Sequence, residues 1–182
     1  LAALEGAVVR LIVDIVGFQI TWWACALGAA SGRWEPGVAV ASIVLIGQVM
    51  ASSLRLATLA AVLTAAVVGI VAESAIVASG LIAYSTPWPA LGLAPLWLVA
   101  LWMVFATCAG ATARMLGERQ MLLGALLGAV LAPPTYWTGA ELGAFRLAEP
   151  VGLSLATIAL VWAIATPMIL AVYGRIATRA SA

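Results

Sequence analysis

Residues 56–83 read "LATLAAVLTAAVVGIVAESAIVASGLIA", and this run decides the class of the protein. It carries one charged residue, Glu73, over a length that would reach ~42 Å as a helix. The hydrocarbon core of a bilayer is ~30 Å thick, and about 20 apolar residues cross it. Five further runs of the same kind flank it, at roughly 7–30, 36–53, 94–115, 121–144 and 150–173. The separators "SGRWEPG", "SLR", "YSTPWPALGL", "GERQ" and "FRLAEP" carry charges and turn formers. The chain is 65% hydrophobic and 8% charged, with mean hydropathy +1.18. A soluble domain carries about a quarter charged residues, and a core this small cannot hide so much apolar surface. The expected class is all-α: a polytopic membrane helical bundle of about six transmembrane helices, forming one integral-membrane domain over residues 1–182.

All eight basic residues are arginines. With both termini on one side, that side holds Arg10, Arg55, Arg114, Arg119, Arg175 and Arg179, and the other holds Arg33 and Arg146. The asymmetry predicts cytoplasmic termini in a bacterial inner membrane, with the Trp88 loop facing out. A net charge of +1 gives no reason to expect a nucleic-acid partner; membrane lipid and a protein partner within the membrane are the expected ones. The absence of His removes the usual imidazole base and the commonest metal ligand, and no metal-ligand spacing is present, so neither cofactor nor metal is expected. Cys25 and Cys108 lie in different runs at different depths and are expected to be free thiols. Asp14, Gln19, Trp22 and Trp23 interrupt what would be the apolar region of a cleaved leader, so the first run reads as a retained helix.

The fifth run contains "GAVLAPPTYWTGAELGA" (128–144). Pro133 and Pro134 supply no backbone donors, which frees the carbonyls of Ala129 and Val130. Such carbonyls are tolerated at membrane depth only where protein or water satisfies them. A Pro-broken fifth helix is therefore expected, with the break facing the interior and a second half-helix starting at one of the prolines. Tyr136, Gly139, Ala140 and Gly143 share one face of that half-helix; Pro134, Trp137 and Glu141 share the other, with Thr138 at its edge. The second face is expected to line a pocket opening outward. The alternative is a kinked helix whose Thr and Tyr side chains only repair broken hydrogen bonds.

Other polar residues also have two readings each. Asp14 sits one turn after Arg10, as an ion pair at the inner boundary or as part of a site. Glu73 either faces the bundle interior as a site or lies at a wet outer end. Gln19 and Gln48 suit interhelical hydrogen bonds. Trp22, Trp102, Trp137 and Trp162 lie deeper than the interfacial belt, which suits an aromatic-walled pocket or plain packing. The candidate ligand-binding set is Gln19, Trp22, Gln48, Glu73, Tyr136, Trp137 and Glu141, with no catalytic residue assigned.

Four stretches in order, "FQITWWA" (18–24), "APLWLVALWMVFA" (94–106), "GALLGAVLAPPTYWTGAELGA" (124–144) and "LVWAIATPMIL" (160–170), carry a resemblance. Together they resemble a family of small bacterial inner-membrane proteins built on a domain of unknown function. The resemblance implies a compact helical bundle and no known activity. It also implies a common His where Gln48 stands, an Asp where Glu73 follows Gly69, and Gly-Pro where this chain has Ala132-Pro133. Members often neighbour genes for fatty-acid modification. Three functions are compatible with the residues. The first is a non-enzymatic module binding a lipid-like or apolar ligand, or serving a lipid-modifying system. The second is a small transporter or the substrate-binding subunit of one. The third is an intramembrane enzyme using Glu73, Glu141 or Asp14.

Overall fold

The computed structural model describes residues 2–89 and 92–180. Residues 90 and 91, in the separator expected to face outward, and the chain ends at 1 and 181–182 lie outside the described residues. The helices are α1 (Ala2–Ala30), α2 (Glu35–Met50), α3 (Arg55–Ala78), α4 (Leu96–Thr107), α5 (Ala109–Leu116), α6 (Gln120–Glu141) and α7 (Val151–Ala180). All but the eight-residue α5 have 12 residues or more, so the expected six-helix bundle is present among the described residues. Four apolar stretches are long enough to cross a membrane: Val8–Ala30, Arg55–Ala78, Ala109–Glu141 and Val151–Ala180. Two further apolar helices, Glu35–Met50 and Leu96–Thr107, are shorter. The outside of the bundle carries Val13, Ile43, Leu63, Val71, Leu122 and Leu160, each more than half exposed. A soluble monomer does not present such a surface to water; a membrane protein presents it to lipid.

α6 packs along α7, α7 on α3 and α3 on α4, while α1 and α2 close the flank against α4. Small residues permit the close approach of α6 to α7. A Cβ on Gly128 would stand 2.3 Å from the Trp162 carbonyl oxygen, and one on Gly124 would stand 2.7 Å from Leu170. In lipid, where apolar surfaces gain nothing by leaving solvent, such close packing is what holds helices together.

The structure corrects two sequence expectations here. The fifth run is not broken, because α6 continues from Gln120 to Glu141 through Pro133 and Pro134. The Thr, Tyr and Gln side chains that could have covered the freed Ala129 and Val130 carbonyls are engaged elsewhere. Thr135 bonds the Leu131 carbonyl, Tyr136 bonds Glu73, and Gln48 bonds the Asp14 carbonyl. A proline weakens a helix locally, but here the long apposition with α7 keeps the helix in register across both. The second correction concerns the separators. Residues 82–84 and 145–147 form a two-stranded antiparallel ribbon, β1 (Ile82–Tyr84) and β2 (Phe145–Leu147), with Tyr84 opposite Phe145. Gly143, at φ +88°, turns the chain out of α6 into β2, a conformation that favours glycine. Ser85 then ties the ribbon back, its N–H and hydroxyl donating to the Ala144 and Gly143 carbonyls.

Candidate functional site

The centre of the bundle is built around Glu73, whose side chain is fully buried. Gly69, one turn earlier on α3, has no Cβ, and the Trp102 ring fills that space, 2.7 Å from where a Cβ would stand. This seats the Trp102 indole on α3 and brings its Nε1–H to Glu73 Oε1 at 3.0 Å. From α6, the Tyr136 hydroxyl donates to the same oxygen. From the ribbon, the Tyr84 hydroxyl donates to Oε2 at 2.7 Å. Burial, and then the nearby Glu73, hold the Tyr84 phenol well above its ordinary range, so it keeps its proton and donates. Glu73 is thus an interior residue tied to α4, α6 and β1, and the solvated-end reading is overturned.

Beside this knot lies a cavity of about 590 Å³ between α1 and α6, backed by α4, α5 and α7. Its walls include Trp22, Trp97, Trp102, Tyr136, Phe145 and Trp162. Trp102 and Trp162 are stacked with centroids 4.1 Å apart, and Phe105 meets Trp162 edge-on at 4.9 Å. α1 packs on α2, α4 and α5, while α6 packs on α7. The cleft between α1 and α6 is rimmed by the exposed Ile15 and Gln19 on one side and Leu127 and Leu131 on the other. Among the described residues, two buried polar atoms in its walls have no partner, Trp97 Nε1 and Thr166 Oγ1, while the Trp162 indole lies toward the Tyr136 hydroxyl. Buried polar groups are ordinarily paired, so the first two are vacant hydrogen-bonding positions around an apolar space.

The candidate residues divide accordingly. Trp22 and Tyr136 line the cavity, Gln19 stands at its rim, and Glu73 lies behind Trp102 and Tyr136 without lining it. Gln19 makes no interhelical hydrogen bond among the described residues, contrary to expectation, because it faces outward on α1. Trp137, 53% exposed, and Glu141, also exposed, line no part of it. Of the face expected to line a pocket, Pro134 does line the cavity and Trp137 and Glu141 do not, while Tyr136 and Gly139 of the other face do. Gly128, Ala132, Tyr136 and Gly139 recur on one face and turn inward, because the Phe145 ring needs the space at Gly139. Gln48 does bridge helices, as expected. Its Nε2 donates to the Asp14 carbonyl at 3.1 Å, and its Oε1 accepts from the Thr107 hydroxyl. The Arg10–Asp14 pair forms at 3.0 Å, and Arg10 Nη2 also reaches the Gln48 carbonyl at 2.8 Å. Both cysteines are free and buried. Sequence reasoning singled out none of Tyr84, Phe145, Thr107 and Trp97 as site residues. The alternation of "IAY" and "FRL" in the separators was the available signal for the ribbon.

Residues 11–168 match the model of a family described as a protein of unknown function (DUF2878), and the chain belongs to that family. Comparison with curated proteins and with solved structures gives no match.

Proposed function

We propose that this family member is a non-enzymatic module of the bacterial inner membrane, with both termini cytoplasmic. It holds a lipid-like molecule in the cleft between α1 and α6 and so serves a lipid-modifying system. The observation that carries this reading is the cleft itself: about 590 Å³, within the range of small-molecule sites, aromatic on its inner wall and rimmed by the outward-facing Ile15, Gln19, Leu127 and Leu131. A molecule entering from lipid gains little from apolar burial alone, since the surrounding chains are as apolar as the walls. Selection then rests on shape and on polar atoms. Trp97 offers an N–H donor and Thr166 a hydroxyl, so the fitting ligand has an apolar body and at least one acceptor, such as an ester or acid carbonyl. The carboxylates an intramembrane enzyme would use, Asp14, Glu73 and Glu141, do not line the cleft, which favours binding over catalysis.

The test is native mass spectrometry of protein extracted in mild detergent. Wild type should retain an apolar molecule bearing a carbonyl or similar acceptor. Gln19→Trp and Leu131→Trp, on the two exposed rims, should reduce retention without loss of fold, and Trp97→Phe should reduce it by removing a donor. Equal retention in all three variants, or retention of a water-soluble metabolite instead, refutes the assignment.

A further inference from the structure

A second, smaller cavity of about 200 Å³ lies on the other side of the α1–α5 contact. Arg10 and Asp14 face it, while Leu11 and Ile15 of the same helix face the large cleft. Arg114 of α5, Ser53 in the α2–α3 turn and Tyr173 of α7 also line it, with Ser52 and Thr58, which bond each other, and Thr107, which bonds Gln48. This is the arginine-rich end of the bundle, where Arg55 Nε also donates to the Met50 carbonyl at 3.2 Å.

The hydrogen-bond inventory of this cavity is unbalanced. Arg10 is engaged by Asp14 and the Gln48 carbonyl. Among the described residues, the exposed Arg114 forms no salt bridge, and no hydrogen bond is made by its guanidinium, by the hydroxyl of the buried Tyr173 or by that of the exposed Ser53. Against these donors stands one vacant acceptor: Asp14, 1% exposed, has Oδ2 bound to Arg10 and Oδ1 without a partner. Arg10 and Asp14 cancel, so Arg114 leaves one positive charge over. An anion matches that excess, and a phosphate matches the forked guanidinium. A bare anion, however, would meet the Asp14 carboxylate unfavourably. The acceptable occupant brings its own N–H or O–H for Asp14 Oδ1.

We propose that this cavity is a second binding site, distinct from the cleft, for a phosphate group with an adjacent hydrogen-bond donor. The head of an ethanolamine or glycerol phospholipid has this chemistry, and so does free hydrogen phosphate. Arg114 and Tyr173 hold the phosphate oxygens, and Asp14 Oδ1 accepts from the ammonium, hydroxyl or acid hydrogen. Choline, whose ammonium has no N–H, is disfavoured.

The experiment places the intact protein in nanodiscs of phosphatidylcholine doped with phosphatidylethanolamine or phosphatidylglycerol, and reads retained lipids by native mass spectrometry. Inorganic phosphate is titrated calorimetrically into detergent-solubilised protein in parallel. Retention of ethanolamine or glycerol lipid over choline lipid, reduced about tenfold in Arg114→Gln and also lowered in Tyr173→Phe, supports a headgroup site. Phosphate binding that Arg114→Gln abolishes, without headgroup preference, supports the same site with a soluble ligand. Equal retention of all three heads with no phosphate binding overturns the proposal. A preference unchanged in both variants also overturns it. Both variants alter side chains without filling the core, and neither touches the large cleft, so failure here leaves the cleft assignment standing.

Discussion

Replacing Glu73 separates hydrogen-bond geometry from charge as the reason this residue sits at the centre of the bundle. Its carboxyl receives Trp102 Nε1–H and the Tyr136 hydroxyl on Oε1, and the Tyr84 hydroxyl on Oε2. Glu73→Leu strands all three donors. A stranded buried donor costs about 1–3 kcal/mol, so the variant should lose about 3–9 kcal/mol before relaxation. Glu73→Gln behaves differently. Its amide oxygen can take the Oε1 position, and its NH₂ can donate to Tyr84, whose hydroxyl also accepts. It should stay within about 1 kcal/mol of wild type. Tyr136→Phe removes one donor and should cost about 1–2 kcal/mol. In the Glu73→Leu background the same change should be neutral or stabilising, since it removes an orphan rather than a bond. The assay is reversible unfolding in mixed micelles, followed by tryptophan fluorescence, with Trp102 as an internal reporter. The reasoning is refuted if Gln destabilises as much as Leu. It is equally refuted if Tyr136→Phe costs the same in both backgrounds.

Three further outcomes follow from the packing and the arginine pattern. Gly128→Ala, whose Cβ would stand 2.3 Å from the Trp162 carbonyl oxygen, should destabilise by about 1–3 kcal/mol, while Gly47→Ala, with nothing within 4 Å, should be neutral or slightly stabilising by the same unfolding assay. The double variant Pro133→Ala/Pro134→Ala returns donors to the Ala129 and Val130 carbonyls within a helix that is already continuous, so it should keep its fold and hold or gain stability; a loss above about 1 kcal/mol would show that the prolines are required. Reporter fusions after Ala182 should report the cytoplasm and those within residues 87–92 the outside, and an external C-terminus would reverse the assigned orientation.

Some of this protein was decided within single segments of sequence. Apolar run length and charge placement determined the all-α class and the six helices, because crossing lipid is a property of one segment at a time. The Arg10–Asp14 pair was legible for the same reason: its partners are one turn apart. The position of Glu73 was not legible, since its three donors come from residues 11, 29 and 63 positions away on three elements. The inward face of α6 was misread because lipid-facing and core-facing sides of a membrane helix are both apolar, so polarity does not mark the buried one. Polar and aromatic Trp137 and Glu141 look like a lining, yet small residues decide the matter: Gly128 and Gly139 admit Trp162 and Phe145 and so turn Tyr136 inward. The prolines announce missing donors, but whether a helix breaks there depends on the neighbour it lies against, and α7 keeps α6 whole. Single-segment energetics are written in the sequence. Which face meets which neighbour, and hence where a cavity is left, follows only from packing all the segments at once.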